Sequence, residues 1–170
     1  VIGPLTGQAA VVTGSSRGLG RAFAVALARN GSRLVVNGTD AAAAQDTADL
    51  IVANGGSAIV CVGSVADHAF CQELVDACID AHGTIDVLVN NAGFTRDRSS
   101  TRMTPEEFDE VIAVHLRGTW SCSTAAARAM RGGGGSLINI TSGAGLFGMF
   151  GQANYSAAKA ASSASTESWI

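Results

Sequence analysis

Read for polarity alone, the chain alternates between two kinds of segment. Short apolar runs bounded by turn-forming residues recur at 9–12, 33–37, 58–62, 86–89 and 136–141. Runs of this length between glycines and asparagines predict buried strands. Longer segments lie between them, with apolar residues returning at helical spacing. Residues 19–30 carry Phe23 and Leu27 in step before Gly31, and residues 40–54 stop at Gly55-Gly56. Residues 67–82 place Phe70, Leu74, Val75 and Cys78 on one face. Thr104-Pro105-Glu106-Glu107 supplies a capping hydroxyl, a first-turn proline and the reciprocal acid. That pattern predicts a helix running to about Arg131, broken by the four glycines that follow. A loop to Asn154 leads into a last helix from about Tyr155.

Strands that alternate with helices of this length form βαβ units and a parallel sheet. Right-handed crossovers then cover both faces. The expected fold is α/β, a Rossmann-type doubly wound parallel sheet in three α/β/α layers, with residues 1–170 as a single domain. Its ligand belongs at the carboxyl ends of the strands.

Two glycine-rich stretches compete for that ligand. Gly143-Ala-Gly145-Leu-Phe-Gly148 matches G-x-G-x-x-G, while Gly14, Gly18 and Gly20 are spaced G-x-x-x-G-x-G. A phosphate loop needs a strand leading in, glycines that admit the pyrophosphate, and a helix whose free N–H groups face the anion. The first stretch, VVTGSSRGLGRAFAVALA, has all three, and a second strand follows at the distance of the ribose end. The later stretch runs into Met149-Phe-Gly-Gln-Ala, and the acid at a tempting distance, Glu167, falls inside a helical segment. The later match is therefore read as a decoy, whose glycines turn the chain at the sheet edge and carry Ser142 towards Tyr155. Residues 144–152 are expected to line the substrate side.

Composition narrows the function. With 47% hydrophobic and 15% charged residues the chain should fold, and 170 residues suffice for one core. A net charge of −3 without a basic stripe argues against nucleic acid as a partner. No apolar run approaches bilayer length, so no membrane partner is expected. No basic start followed by an apolar stretch marks a secretory signal. Cys61, Cys71, Cys78 and Cys122 show no C-x-x-C or zinc spacing, so no metal is expected. Free thiols in a reducing cytoplasm fit them best.

The chemistry lies near the end. Tyr155 and Lys159, four apart on one helix, share a face. A neighbouring ammonium favours the phenolate and makes tyrosine, with its ordinary pKa near 10, a usable acid or base near neutrality. Ser142 ends the fifth strand, at the same carboxyl edge, where its hydroxyl can meet a substrate carbonyl oxygen.

Together these motifs resemble the classical short-chain dehydrogenases/reductases. TGSSRGLG (13–20) resembles their cofactor loop and NNAG (90–93) the segment beside the cofactor. Ser142 stands thirteen residues before Tyr155, and YSAAK carries the family's Tyr and Lys. The stretches VHLRGTW and GMFGQANYSAAKA are most similar to the branch of 3-oxoacyl reductases and 3-hydroxyacyl-CoA dehydrogenases. The resemblance implies hydride transfer between a nicotinamide cofactor and a carbonyl or secondary alcohol. Ser142 would polarise the oxygen, Tyr155 would move its proton, and Lys159 would tune Tyr155 and hold the ribose. It also implies cofactor contacts at Gly14, Ser16, Arg17, Gly18, Leu19, Gly20, Asn37, Gly38, Ser64, Val65, Asn91, Ala92 and Gly93, a small-molecule substrate, and a homo-oligomer in a full-length form.

Several positions depart from the family. His115 stands where an Asn usually holds a water of the proton relay, and is expected to serve that relay. Ser64 replaces an Asp that contacts adenine. No acid follows the second strand before Asp40, which reads as a helix cap, while Arg17 can meet a 2′-phosphate. NADP is therefore favoured, with NAD open. Residues 160–170 are atypical: Ser156, Ser162, Ser163, Ser165 and Ser168 crowd a stretch that the family fills with apolar residues. The chain is expected to lack the last strands and the substrate-covering helix. Besides an oxidoreductase of 3-oxoacyl type, the sequence leaves open a non-catalytic or defective nucleotide-binding member of the same fold.

Overall fold

A computed structural model of the chain describes residues 2–166. Glu167, Ser168 and the rest of the expected domain's last residues, with Val1, lie outside the described residues. Five parallel strands, β1 (Ala9–Val12), β2 (Arg33–Gly38), β3 (Ser57–Val62), β4 (Val87–Asn90) and β5 (Ser136–Asn139), stand in the order β3-β2-β1-β4-β5. The order reverses between β1 and β4, which opens a crevice at their carboxyl ends. Every residue of β1 is fully buried, as the centre of a sheet covered on both faces requires.

Alternation along the strands feeds two cores. Ala9, Val11, Val35 and Leu88 pack with Leu74, Val75, Cys78 and Cys122 from α3 (His68–His82) and α5 (Thr119–Ala129). Ala10, Val12, Leu34, Val36, Val87 and Val89 pack with Ala24, Ala28, Ala48 and Ile51 from α1 (Gly18–Arg29) and α2 (Ala41–Ala53). Small alanines on α1 and α2 let those helices sit close to the sheet.

Most helix ends follow the sequence chemistry. Asp40 caps α2 through the Ala43 N–H, Asp67 caps α3 through the Ala69 N–H, and Thr104 with Glu107 forms the capping box of α4 (Pro105–Ile112). Gly83 ends α3 in the left-handed region at φ 80°. The expected single helix to Arg131 is instead α4, a π-helical stretch at Ala113–Gly118, and α5. The physical reason lies in the His115 carbonyl, which accepts the Thr119 hydroxyl at 2.8 Å and the Ser162 hydroxyl at 3.0 Å. Hydroxyls that take a backbone carbonyl compete with the regular ladder.

The decoy glycine stretch is also more ordered than a turn. Gly143–Phe147 forms one short helix, α6, packed on α7 (Ala153–Thr166). A Cβ at Gly145 would come 2.8 Å from the Ala160 nitrogen, so glycine permits that packing.

Candidate active site

The crevice beyond β1 and β4 is a cavity of about 540 Å³. Its floor is the loop between β1 and α1. Gly14, at φ 63°, lies against Ala92, and a Cβ at Gly20 would overlap the Gly14 carbonyl oxygen. Side chains cannot be added here without moving backbone, so the loop is shaped to bring backbone, rather than side chains, to the cavity.

Three side chains hold that loop, Thr13 and Asn37 buried and Asn91 half-buried. The Thr13 hydroxyl accepts the N–H groups of Asn91 and Ala92, both at 3.0 Å. The Asn91 amide donates to the carbonyls of Thr13 (3.0 Å) and Gly14 (3.2 Å). Asn37 accepts the Gly14 N–H at 3.2 Å and donates to the carbonyls of Cys61 and Gly63. Asn37 thus ties three strand ends together. Behind them, Arg21 bonds the Ser16 and Ala43 carbonyls and the Thr47 hydroxyl.

The start of α1 differs from the starts of α2, α3 and α4. It begins on Arg17, with no side-chain cap and no acid in its first turn. Its free N–H groups and positive dipole end therefore remain available to an anion. No Asp or Glu lines the cavity among the described residues, while Arg17 and Lys159 do. Asp40, the nearest acid after β2, is used as the cap of α2. This donor set fits a dinucleotide with its pyrophosphate on α1.

At the other end, α7 presents Tyr155 and Lys159 to the same cavity. Lys159 is buried, its ammonium lies 5.8 Å from the centre of the Tyr155 ring, and it donates to the Ile140 carbonyl. Burial lowers its pKa. His115 meets Tyr155 edge to face, with ring centres 5.0 Å apart. Its Nε2 lies 2.8 Å from the Phe94 carbonyl oxygen and 3.0 Å from the Phe94 nitrogen. Its Nδ1 is buried without a hydrogen-bond partner among the described residues. Burial pushes His115 down to about 4, helped by the Lys159 charge and opposed by the bond to Phe94, so the ring is neutral at neutral pH.

Of the expected site residues, only Ser142 lies outside the cavity lining. Its hydroxyl accepts the Ala144 N–H at 3.2 Å and so caps α6. Residues 144–152 do not contribute to the lining either, and Leu146, Phe147, Met149 and Phe150 are exposed. Thr39, Gly63, Phe94, Thr95, Val114 and Ile140 line the cavity without having been singled out. Position could have found most of them, since they adjoin Gly38, Ser64, Gly93 and His115. Among the described residues, no group of His, Cys, Asp and Glu could hold a metal ion, and no helix is long and apolar enough to cross a membrane. All four cysteines are free thiols.

Residues 8–170 match the family model described as short chain dehydrogenase. A 3-oxoacyl-[acyl-carrier-protein] reductase of Synechocystis sp. is 47% identical over 158 residues, which cover 92% of this chain and 64% of that protein. A hydroxyacyl-CoA dehydrogenase of Mycobacterium tuberculosis is 44% identical, over 95% of this chain and 55% of its own length. The crystal structure of a short chain dehydrogenase from Mycobacterium avium superposes with a TM-score of 0.94 at 42% identity, covering 98% of this chain and 63% of that one. The chain therefore spans less than two thirds of these relatives.

Proposed function

The chain belongs to the short-chain dehydrogenase family, and from that premise we propose that it serves an NAD(P)-dependent oxidoreductase interconverting a carbonyl and a secondary alcohol. The observation that carries this reading is one cavity with two chemistries. Its near end is an uncapped helix start over a glycine floor, and its far end holds Tyr155 beside Lys159. When bound, a nicotinamide dinucleotide supplies or accepts the hydride. The chain's own residues do the rest.

The backbone of Gly14–Gly20 and the α1 dipole hold the phosphates. Tyr155 gives its phenolic proton to the carbonyl oxygen during reduction and takes it back during oxidation. Lys159, held in place by its bond to the Ile140 carbonyl and with its ammonium 5.8 Å from the centre of the Tyr155 ring, offers donors to ribose hydroxyls. Neutral His115 packs against Tyr155 and the Phe94 backbone without adding a competing positive charge. Arg17 and an acid-free ribose end support NADP over NAD. The names of the relatives support a 3-oxoacyl thioester as substrate. Exposed Phe108 on α4 and Trp120 on α5 support a homo-oligomer.

The position of Ser142, capping α6 outside the cavity, favours a second reading: a nucleotide-binding member without turnover. Titration of the protein with NADPH and NADH, followed by turnover on 3-oxoacyl thioesters, separates the two. NADPH binding about tenfold tighter than NADH, with turnover, is expected, a difference of about 1.4 kcal/mol. Preference for NADH would overturn the cofactor choice, and tight binding without turnover across the panel would favour the second reading.

A further inference from the structure

Tyr155 is held from two sides. His115 packs against its ring, and Asn154 holds its backbone. Asn154 is fully buried. Its Nδ2 donates to the Arg96 carbonyl at 3.2 Å and the Glu107 carbonyl at 3.0 Å, and its Oδ1 accepts the Tyr155 N–H at 2.8 Å. These bonds join a loop, α4 and the start of α7 at one side chain. Only a primary amide offers two donors and an acceptor in that space. A carboxylate would face two carbonyl oxygens, and alanine would remove both donors and the acceptor from the interior.

Outer contacts repeat the same connection. The Arg98 N–H donates to the Gly151 carbonyl at 2.7 Å, Gln152 donates to the Asp97 carboxylate at 3.1 Å, and Arg98 pairs with Glu107 at 2.7 Å. The segment 96–98 is thereby clasped to 151–154. The residues just before it, Phe94 and Thr95, form cavity wall, and the Phe94 backbone is the group that His115 holds. The two holds on Tyr155 are therefore the two ends of one wall segment.

We propose that Asn154 is a positioning residue, which fixes the start of α7 against the 94–98 wall and so sets where the Tyr155 hydroxyl stands in the cavity. The inference rests on the reading of Tyr155 as proton donor, and its test separates the two. Tyr155 is the chain's single tyrosine, so in protein labelled at tyrosine every ring resonance belongs to it. The His115 ring at 5.0 Å displaces those resonances from free-tyrosine positions.

In Asn154→Ala and Asn154→Asp the displacement should shrink, and kcat should fall about 10- to 100-fold with KM for the carbonyl substrate changed far less, as misplacement of a reacting group predicts. Arg98→Ala, which frees the 96–98 segment from Glu107 on α4 at the surface, should move both readouts the same way by less. Unchanged ring resonances and kcat in folded Asn154→Ala would overturn the inference. If both Asn154 variants fail to fold, unchanged resonances and kcat in Arg98→Ala overturn it instead. A shrunken displacement in Asn154→Ala, together with full turnover by Tyr155→Phe, would sink the proton-donor reading and leave the positioning role standing.

Discussion

The two ends of the cavity are built on opposite terms. At the nucleotide end, β1, β2 and β4 are buried, and Thr13, Asn37 and Asn91 direct their polar atoms to backbone partners. Function and stability rest there on the same bonds. At the catalytic end, β5 is half exposed at the sheet edge, and Leu146, Phe147 and Phe150 are 70%, 88% and 93% exposed. The cationic side chain at that end, Lys159, is kept in the interior beside a carbonyl. A charge taken from water costs stability unless it is well compensated. The nucleotide end therefore gains stability from the geometry it needs, and the catalytic end holds its geometry at a cost.

Lys159→Met tests that contrast most severely, with the largest effect. Turnover should fall by about 10²–10⁴-fold, the range of a positioned acid–base contribution. Thermal stability should hold or rise, because an apolar side chain of similar length replaces a desolvated ammonium. The sign follows from the lowered pKa of Lys159. A lowered pKa means that the folded chain gives up this proton before the unfolded chain does, so the burial cost is largest while the amine is charged in both states and fades as rising pH deprotonates the folded amine. Thermal melts beside steady-state rates check it. A large drop in melting temperature would show that the catalytic end is as stability-coupled as the nucleotide end.

His115 sits between the two ends and gives a pH signature. Its folded pKa, about 4, lies below the ordinary histidine value of 6.5. Above pH 6.5 neither state binds the proton, so nothing changes. As pH falls through 6.5 the unfolded chain binds it first, and folding is disfavoured until about pH 4, where the folded ring also titrates. The shift corresponds to about 3 kcal/mol across that window. Urea unfolding of wild type and His115→Asn between pH 7 and about 4 should show the wild type losing that much more stability. Parallel pH curves would place His115 in contact with water and remove it from the buried wall.

How much of this was readable beforehand follows the same division. The glycine loop, the caps at Asp40 and Thr104, and the alternation of parallel strands with helices needed only local spacing and the βαβ rule. What escaped depends on contacts distant in sequence. The π-helical stretch answers to a Ser162 hydroxyl 47 residues away from His115. That serine looked like a poor helix former in an atypical tail, yet it is buried and bonded inside the fold. Asn154 read as the end of a loop because its partners lie on Arg96 and Glu107, 58 and 47 residues earlier. Ser142 was expected to end the fifth strand, but β5 stops at Asn139 and Ser142 instead caps α6, because spacing could not say which way its hydroxyl turns once Gly143 starts a helix.

The smallest effect separates the two glycine stretches themselves. A Cβ at Gly20 would overlap the Gly14 carbonyl oxygen and come 2.5 Å from the Asn91 amide nitrogen, both of them parts of the floor. Gly20→Ala must push that floor apart, and overpacking of this kind costs about 1–3 kcal/mol. Nucleotide affinity should fall with it, because the displaced atoms are those that shape the phosphate loop. At Gly143, first residue of the later G-x-G-x-x-G match, an added Cβ meets nothing within 4 Å. Gly143→Ala should leave both melting temperature and nucleotide affinity unchanged within error. Parallel melts and NADPH titrations of the two variants compare the cradle with its look-alike directly. Equal losses in both would mean that the later glycines also bear on the phosphates, and the division of the cavity into a self-stabilising end and a costly one would have to be redrawn.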